Sequence, residues 1–88
     1  MIVNLFLLLD LQEQDQLGTL TYDQLSEAEA VIAGTETAFK AMCVEEAIYT
    51  MYDRNDRLQK TVSLTVPKLE ILHASLTSML TVQYGCAD

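Results

Sequence analysis

The only proline of the chain, Pro67, is followed by apolar residues at positions 69, 72, 76 and 79. Spacings of three, four and three bring each side chain back to one stripe of an α-helix. Proline is tolerated in a first helical turn, where its missing N–H has no intrahelical partner to lose. Gly85 supplies a stop, because glycine adopts the left-handed conformation that ends many helices. The pattern predicts an amphipathic helix that opens at Pro67 and turns Leu69, Leu72, Leu76 and Met79 to one side. Whatever else the chain forms must present an apolar face to cover that stripe.

Helices are the expected covering. Fourteen leucines stand among 88 residues with three glycines and no tryptophan, and an all-β domain needs more turn residues than that. Half of the residues are apolar, so the chain has enough apolar surface to offset its ordering entropy. The length allows one domain, spanning 1–88, with a small core. The expected fold class is all-α, a small bundle of three to four helices.

A first helix is expected from about Ile2 to Gln16. Apolar residues at 2, 5, 6 and 9 form a stripe, but 3, 7, 8 and 11 are apolar as well, so this helix must be buried on more than one side. Leu17 to Leu20 reads as a linker. Thr21 with Gln24 matches a capping box, in which each side chain satisfies an orphan backbone donor at the helix start. Asp23 and Glu27 follow where the helix dipole favours negative charge. The second helix therefore begins near Tyr22, with Leu25, Ala28 and Ile32 inside. It either ends at Gly34, with Thr35 capping another, or runs through. Phe39, Met42, Val44, Ile48, Met51 and Tyr52 continue a helical pattern whose stripe changes phase around Cys43. Asp53 to Arg57 breaks the pattern and reads as a turn or a frayed end. Residues 61–66 (Thr-Val-Ser-Leu-Thr-Val) alternate strictly between hydroxyl and apolar side chains, a strand signal. Paired with a strand at 2–9, it gives the alternative fold class, α+β.

Thirteen acids face five bases, a net charge of −8. From Met1 to Phe39 there are seven acids and no base: Asp10, Glu13, Asp15, Asp23, Glu27, Glu29 and Glu36. Nucleic acid and anionic membrane surfaces attract Lys and Arg, so direct binding to either is not expected. The partners that suit such a chain are neutral, apolar or basic proteins. Arg54, Arg57 and Lys60 beside Asp53 and Asp56 are expected to form pairs within the fold. Cys43 and Cys86 are too few for a disulfide framework and are expected as free thiols, in keeping with the cytoplasm. The apolar run 2–9 lacks the basic flank and small-residue cleavage site of a targeting segment, and it is shorter than the ~20 apolar residues that cross a bilayer.

Motifs that carry chemistry are scarce. His73 is the only histidine, on the flank of the leucine stripe between Glu70 and Thr77. No Cys-x-x-Cys spacing accompanies it, so no metal site is expected. Asp53-x-Asn55 matches the first positions of a calcium loop, but Arg57, Leu58 and Leu64 stand where that loop needs an oxygen ligand, glycine and glutamate. The Asp-Ser-Leu attachment motif of small acidic carrier proteins is absent, since no Asp-Ser pair occurs. Nucleophile elbows, phosphate-cradling loops and dinucleotide fingerprints are absent too. With no cofactor expected, the chain reads as a non-catalytic protein–protein interaction module: an adaptor, a subunit or a small acidic chaperone. It would bind through the apolar helical faces around Leu5, Leu8, Leu9, Leu69, Leu72, Leu76 and Met79, as a homodimer or in a hetero-complex. The alternative is a small acidic inhibitor of the phage type, whose seven front acids mask a basic nucleic-acid-binding site.

Overall fold

In the computed structural model, which describes residues 3–85, the leucine stripe after Pro67 lies at the centre of the molecule. Helix α3 runs from Val66 to Tyr84, with the proline in its first turn and Thr65 as its cap: the Thr65 Oγ1 accepts from the Lys68 N–H at 3.3 Å. Gly85 ends it at a φ of 66°, a left-handed conformation open to glycine without a side-chain clash. Leu69, Leu72 and Leu76 are wholly buried and Leu80 nearly so.

Two helices supply the covering face. α1 spans Leu5–Glu13 behind the Asn4 cap, whose Oδ1 accepts from the Leu7 N–H at 2.9 Å. A single 3-10 turn, Leu17–Thr19, joins it to α2, Tyr22–Ala41. The Thr21–Gln24 capping box forms in both directions, at 2.9 and 3.3 Å. α2 runs through Gly34 without interruption and buries Leu25, Ala28, Ile32 and Phe39. Its contact with α3 is the most extensive between helices. Glu29 meets His73, and Gly18 just before α2 lies beside Gln83 near the end of α3, so the two helices are antiparallel.

The fold class departs from the all-α expectation. The molecule is 61% helical but carries a two-stranded antiparallel sheet, so it is an α+β fold and not a helical bundle. Of the two strands in the α+β alternative, the one expected at 61–66 forms and the one at 2–9 does not. β1 is Glu46–Tyr52, in the stretch expected to continue the second helix, and β2 is Leu58–Thr65. Most of 2–9 is helical or helix cap, and Ile2 lies outside the described residues. The reason is local. α2 ends in a Schellman motif: the Val44 N–H bonds to the Phe39 carbonyl at 2.9 Å and the Cys43 N–H to that of Lys40 at 3.2 Å. Cys43 takes the left-handed position, at a φ of 55°, that glycine usually fills. Beyond it Ile48, Tyr49, Thr50 and Tyr52 are β-branched or aromatic, side chains that fit a pleated surface better than a helix.

The hairpin register pairs Ala47 with Leu64, Tyr49 with Val62, and Met51 with Lys60. These side chains face the helices, and Leu64 is buried among them. Tyr49 packs edge-on against Phe6 of α1, with ring centroids 5.5 Å apart. The opposite face, with Glu46, Ile48, Thr50 and Tyr52 of β1, is turned to solvent. The radius of gyration is 13.8 Å and the extents are 42 × 31 × 18 Å, where a compact chain of this length has a radius of about 12 Å.

Candidate interaction surface

Most of the helical residues expected to bind a partner lie inside the fold. Leu8, Leu9, Leu69, Leu72 and Leu76 belong to the core, while Leu5 and Met79 are half-buried against it. α2 covers the α3 stripe, and a side chain that already holds two helices together is not offered to a partner.

The acids do not gather on one face either. Asp10 and Glu13 of α1 converge on Lys60 of β2, at 3.0 and 3.1 Å. The hydrogen bond from Lys60 and its ammonium charge hold the Asp10 carboxyl below its ordinary value, and the hydrogen bonds to Asp10 and Glu13 raise Lys60 above its own. The cluster ties α1 to the hairpin. On α2, the helical period sets Asp23 and Glu27 opposite the buried stripe, and puts Glu29 and Glu36 on its flank beside α3. Glu29 contacts His73 at 3.2 Å and Glu36 pairs with Lys40 at 3.5 Å. Among the described residues no ion pair engages Asp15, Asp23 or Glu27. Asp15 sits at the left-handed C′ position of α1, at a φ of 57°.

The Asp53–Arg57 segment is the hairpin turn. Asp53 Oδ1 accepts the N–H groups of Asn55 and Arg57, at 2.8 and 2.9 Å, and Oδ2 pairs with Arg57 Nε at 3.3 Å. Turn formation accounts for the aspartate that resembles a calcium ligand. Of the three local bases, Arg57 pairs within the turn and Lys60 with α1. Arg54 is exposed, and no ion pair engages it among the described residues.

Large apolar residues are exposed at Met42, at Ile71 and Val82 of α3, and on the outer face of the hairpin, where three share one side of a sheet. Ile48, Tyr52 and Leu58 are 65%, 60% and 62% exposed. Tyr52 and Leu58 face each other across the strands. Leu58 owes its place to an irregularity in the register: the pairing skips Gln59 between Met51 and Tyr52. By the two-residue period Leu58 would point inward with Lys60, Val62 and Leu64. The bulge turns it out to lie against Tyr52. Thr50, Thr61 and Ser63 fill the face between, and Ser63 Oγ donates to Glu46 Oε2 across the strands. None of Ile48, Tyr52 and Leu58 stood out in the sequence as a site residue. The enrichment of 48–52 in Ile, Tyr and Thr was the signal that could have found the first two; Leu58 depends on a bulge that sequence does not announce.

On the inner side of the hairpin, a groove of about 550 Å³ runs between α1, β2 and α3 and is lined by Leu9, Val62, Pro67 and Ile71. Among the described residues no group of three or more His, Cys, Asp or Glu is placed to hold a metal, and no helix is long and apolar enough to cross a membrane. Cys43 is a free, exposed thiol, and Cys86 lies outside the described residues. Comparison with protein-family models, with curated proteins and with solved structures finds no match.

Proposed function

We propose that the chain is a non-catalytic protein-interaction module whose binding element is the β1–β2 hairpin. The observation that carries this reading is the outer hairpin face. It sets Ile48, Tyr52 and Leu58 in water on the side of the hairpin away from the helices, with a bulge turning the third outward beside the second. Single exposed apolar residues are ordinary on a protein surface, whereas several on one sheet face suit an interface. Tyrosine in particular is enriched at binding hot spots. The hairpin also carries no net charge, as is true of α3, where Lys68 offsets Glu70. In residues 46–65, Glu46, Asp53 and Asp56 are matched by Arg54, Arg57 and Lys60, so the net charge of −8 lies elsewhere. A neutral, apolar face meets less repulsion from another copy than the acidic front half does.

Masking of a basic nucleic-acid-binding site has less support, because Asp10, Glu13, Glu29 and Glu36 are engaged within the fold. The test compares the native chain with a variant carrying Ile48→Thr, Tyr52→Thr and Leu58→Thr, which keep β-compatible side chains. The native chain binds an apolar-surface dye or self-associates, and the variant, with unchanged circular dichroism, does neither. A native chain that stays monomeric at high concentration and binds no dye refutes the proposal.

A further inference from the structure

The two strands differ in how their outer edges are protected. β2 carries the bulge at Gln59, and Lys68 Nζ donates to the Ser63 carbonyl at 3.3 Å. Bulges and lysines are two of the devices by which sheet edges avoid further pairing. β1 has neither. From Ala47 to Tyr52 it contains no charge, no proline, no glycine and no bulged residue. Among the described residues, no hydrogen bond from outside the hairpin reaches its backbone. An open, uncharged edge of this kind is a template for another strand.

Resting on the reading of the hairpin as the binding element, we infer that the strand it takes is β1 of a second copy. Two β1 strands related by a two-fold axis perpendicular to the sheet run antiparallel and join two hairpins into a four-stranded sheet. The axis can pass only where facing residues lie on the same side of the sheet, and the side chains select one such register. With Thr50 on the axis, Ile48 of each copy faces Tyr52 of the other, so the exposed apolar residues of β1 cover one another. The same register brings Glu46, at the start of β1, level with the turn of the other copy, whose Arg54 is in no ion pair among the described residues. Both contacts occur twice. With Tyr49 on the axis, Glu46 faces Tyr52 and Ile48 faces Thr50, and neither match is made. The hairpin brings no net charge of its own to the contact, and added salt strengthens the association by screening the acids elsewhere in the two chains.

The test fixes the register by cross-linking. In a chain carrying Cys43→Ser and Cys86→Ser, single cysteines are introduced as Ile48→Cys, Thr50→Cys or Tyr52→Cys and oxidised with glutathione disulfide. Side chains directly opposite lie about 5 Å apart, close to the reach of a disulfide, whereas position 48 or 52 lies about 13 Å from its own copy at the rise of a strand. Thr50→Cys therefore gives a covalent dimer and the other two do not, while a mixture of Ile48→Cys and Tyr52→Cys chains does. Charge exchange provides a second measurement without cysteine. Arg54→Glu or Glu46→Arg alone raises the dimer dissociation constant about tenfold, and the two together restore it. The inference is overturned if Thr50→Cys yields no covalent dimer, if all three positions cross-link alike, or if the double charge variant is not restored. A native chain that is monomeric yet binds apolar dye through Ile48, Tyr52 and Leu58 overturns self-pairing and leaves the module reading intact.

Discussion

Replacing Leu72 with alanine asks whether the leucine stripe of α3 holds the fold or faces a partner. Leu72 is wholly buried. The substitution removes three carbon atoms from the core, about 2.4 kcal/mol at about 0.8 kcal/mol each. The cavity left between two antiparallel helices relaxes only in part, and the total comes to about 3 to 4 kcal/mol. A domain of this size has about 4 to 13 kcal/mol of stability, so the loss is a large fraction of the whole. In thermal unfolding followed by circular dichroism, Leu72→Ala lowers the midpoint by at least about 12 °C. The three-threonine hairpin variant moves it far less. If Leu72→Ala shifts the midpoint by less than about 4 °C and instead abolishes association, the stripe belongs to an interface and the packing described above is wrong.

Cys43→Gly relieves a side chain held at a φ of 55° and raises stability by about 0.5 to 1 kcal/mol in urea unfolding, the strain of a left-handed residue less the added freedom of glycine when unfolded. Asp53→Ala removes the acceptor of two backbone N–H groups in the hairpin turn and costs about 1 to 2 kcal/mol. It also speeds amide exchange at Asn55 and Arg57. The Asp10 carboxyl, bonded by Lys60, titrates below its ordinary value of 3.8 in an NMR pH series and moves back toward it in Lys60→Gln. Because the folded-state value is depressed, the stability from Asp10 is complete above its unfolded pKa and is lost as the pH falls through the folded one. Lys60→Gln flattens stability over that acidic range, and an unchanged acid limb contradicts the pairing.

α2 and α3 were legible because each carries its own punctuation: Thr21 and Gln24 at the start of α2, Pro67 and Gly85 around α3. β1 was not. The residue that ends α2 in the left-handed position is Cys43, which carries no stop signal. Ile48 and Tyr52 lie on the water-facing side, so the strand reads as apolar at most positions and its two-residue period is hidden. The change of phase at Cys43 was the trace of the transition. The β2 alternation at 61–65 was visible, and its partner followed from neither pattern nor spacing. For the acids, sequence gave the number and their segregation but not their engagement, since Lys60 lies 50 positions from Asp10. The leucines were rightly seen as too apolar for water, yet α1, α2 and α3 satisfy one another.

The measurement that bears most directly on the hairpin as a self-pairing interaction element is the mass of the chain in solution, by light scattering over a range of concentrations at low and high salt. The account predicts a mass approaching twice the 9.8 kDa of one chain, at lower protein concentration as salt is raised, and 9.8 kDa throughout for the hairpin variant. A native chain that holds 9.8 kDa under every condition and binds no apolar dye contradicts it.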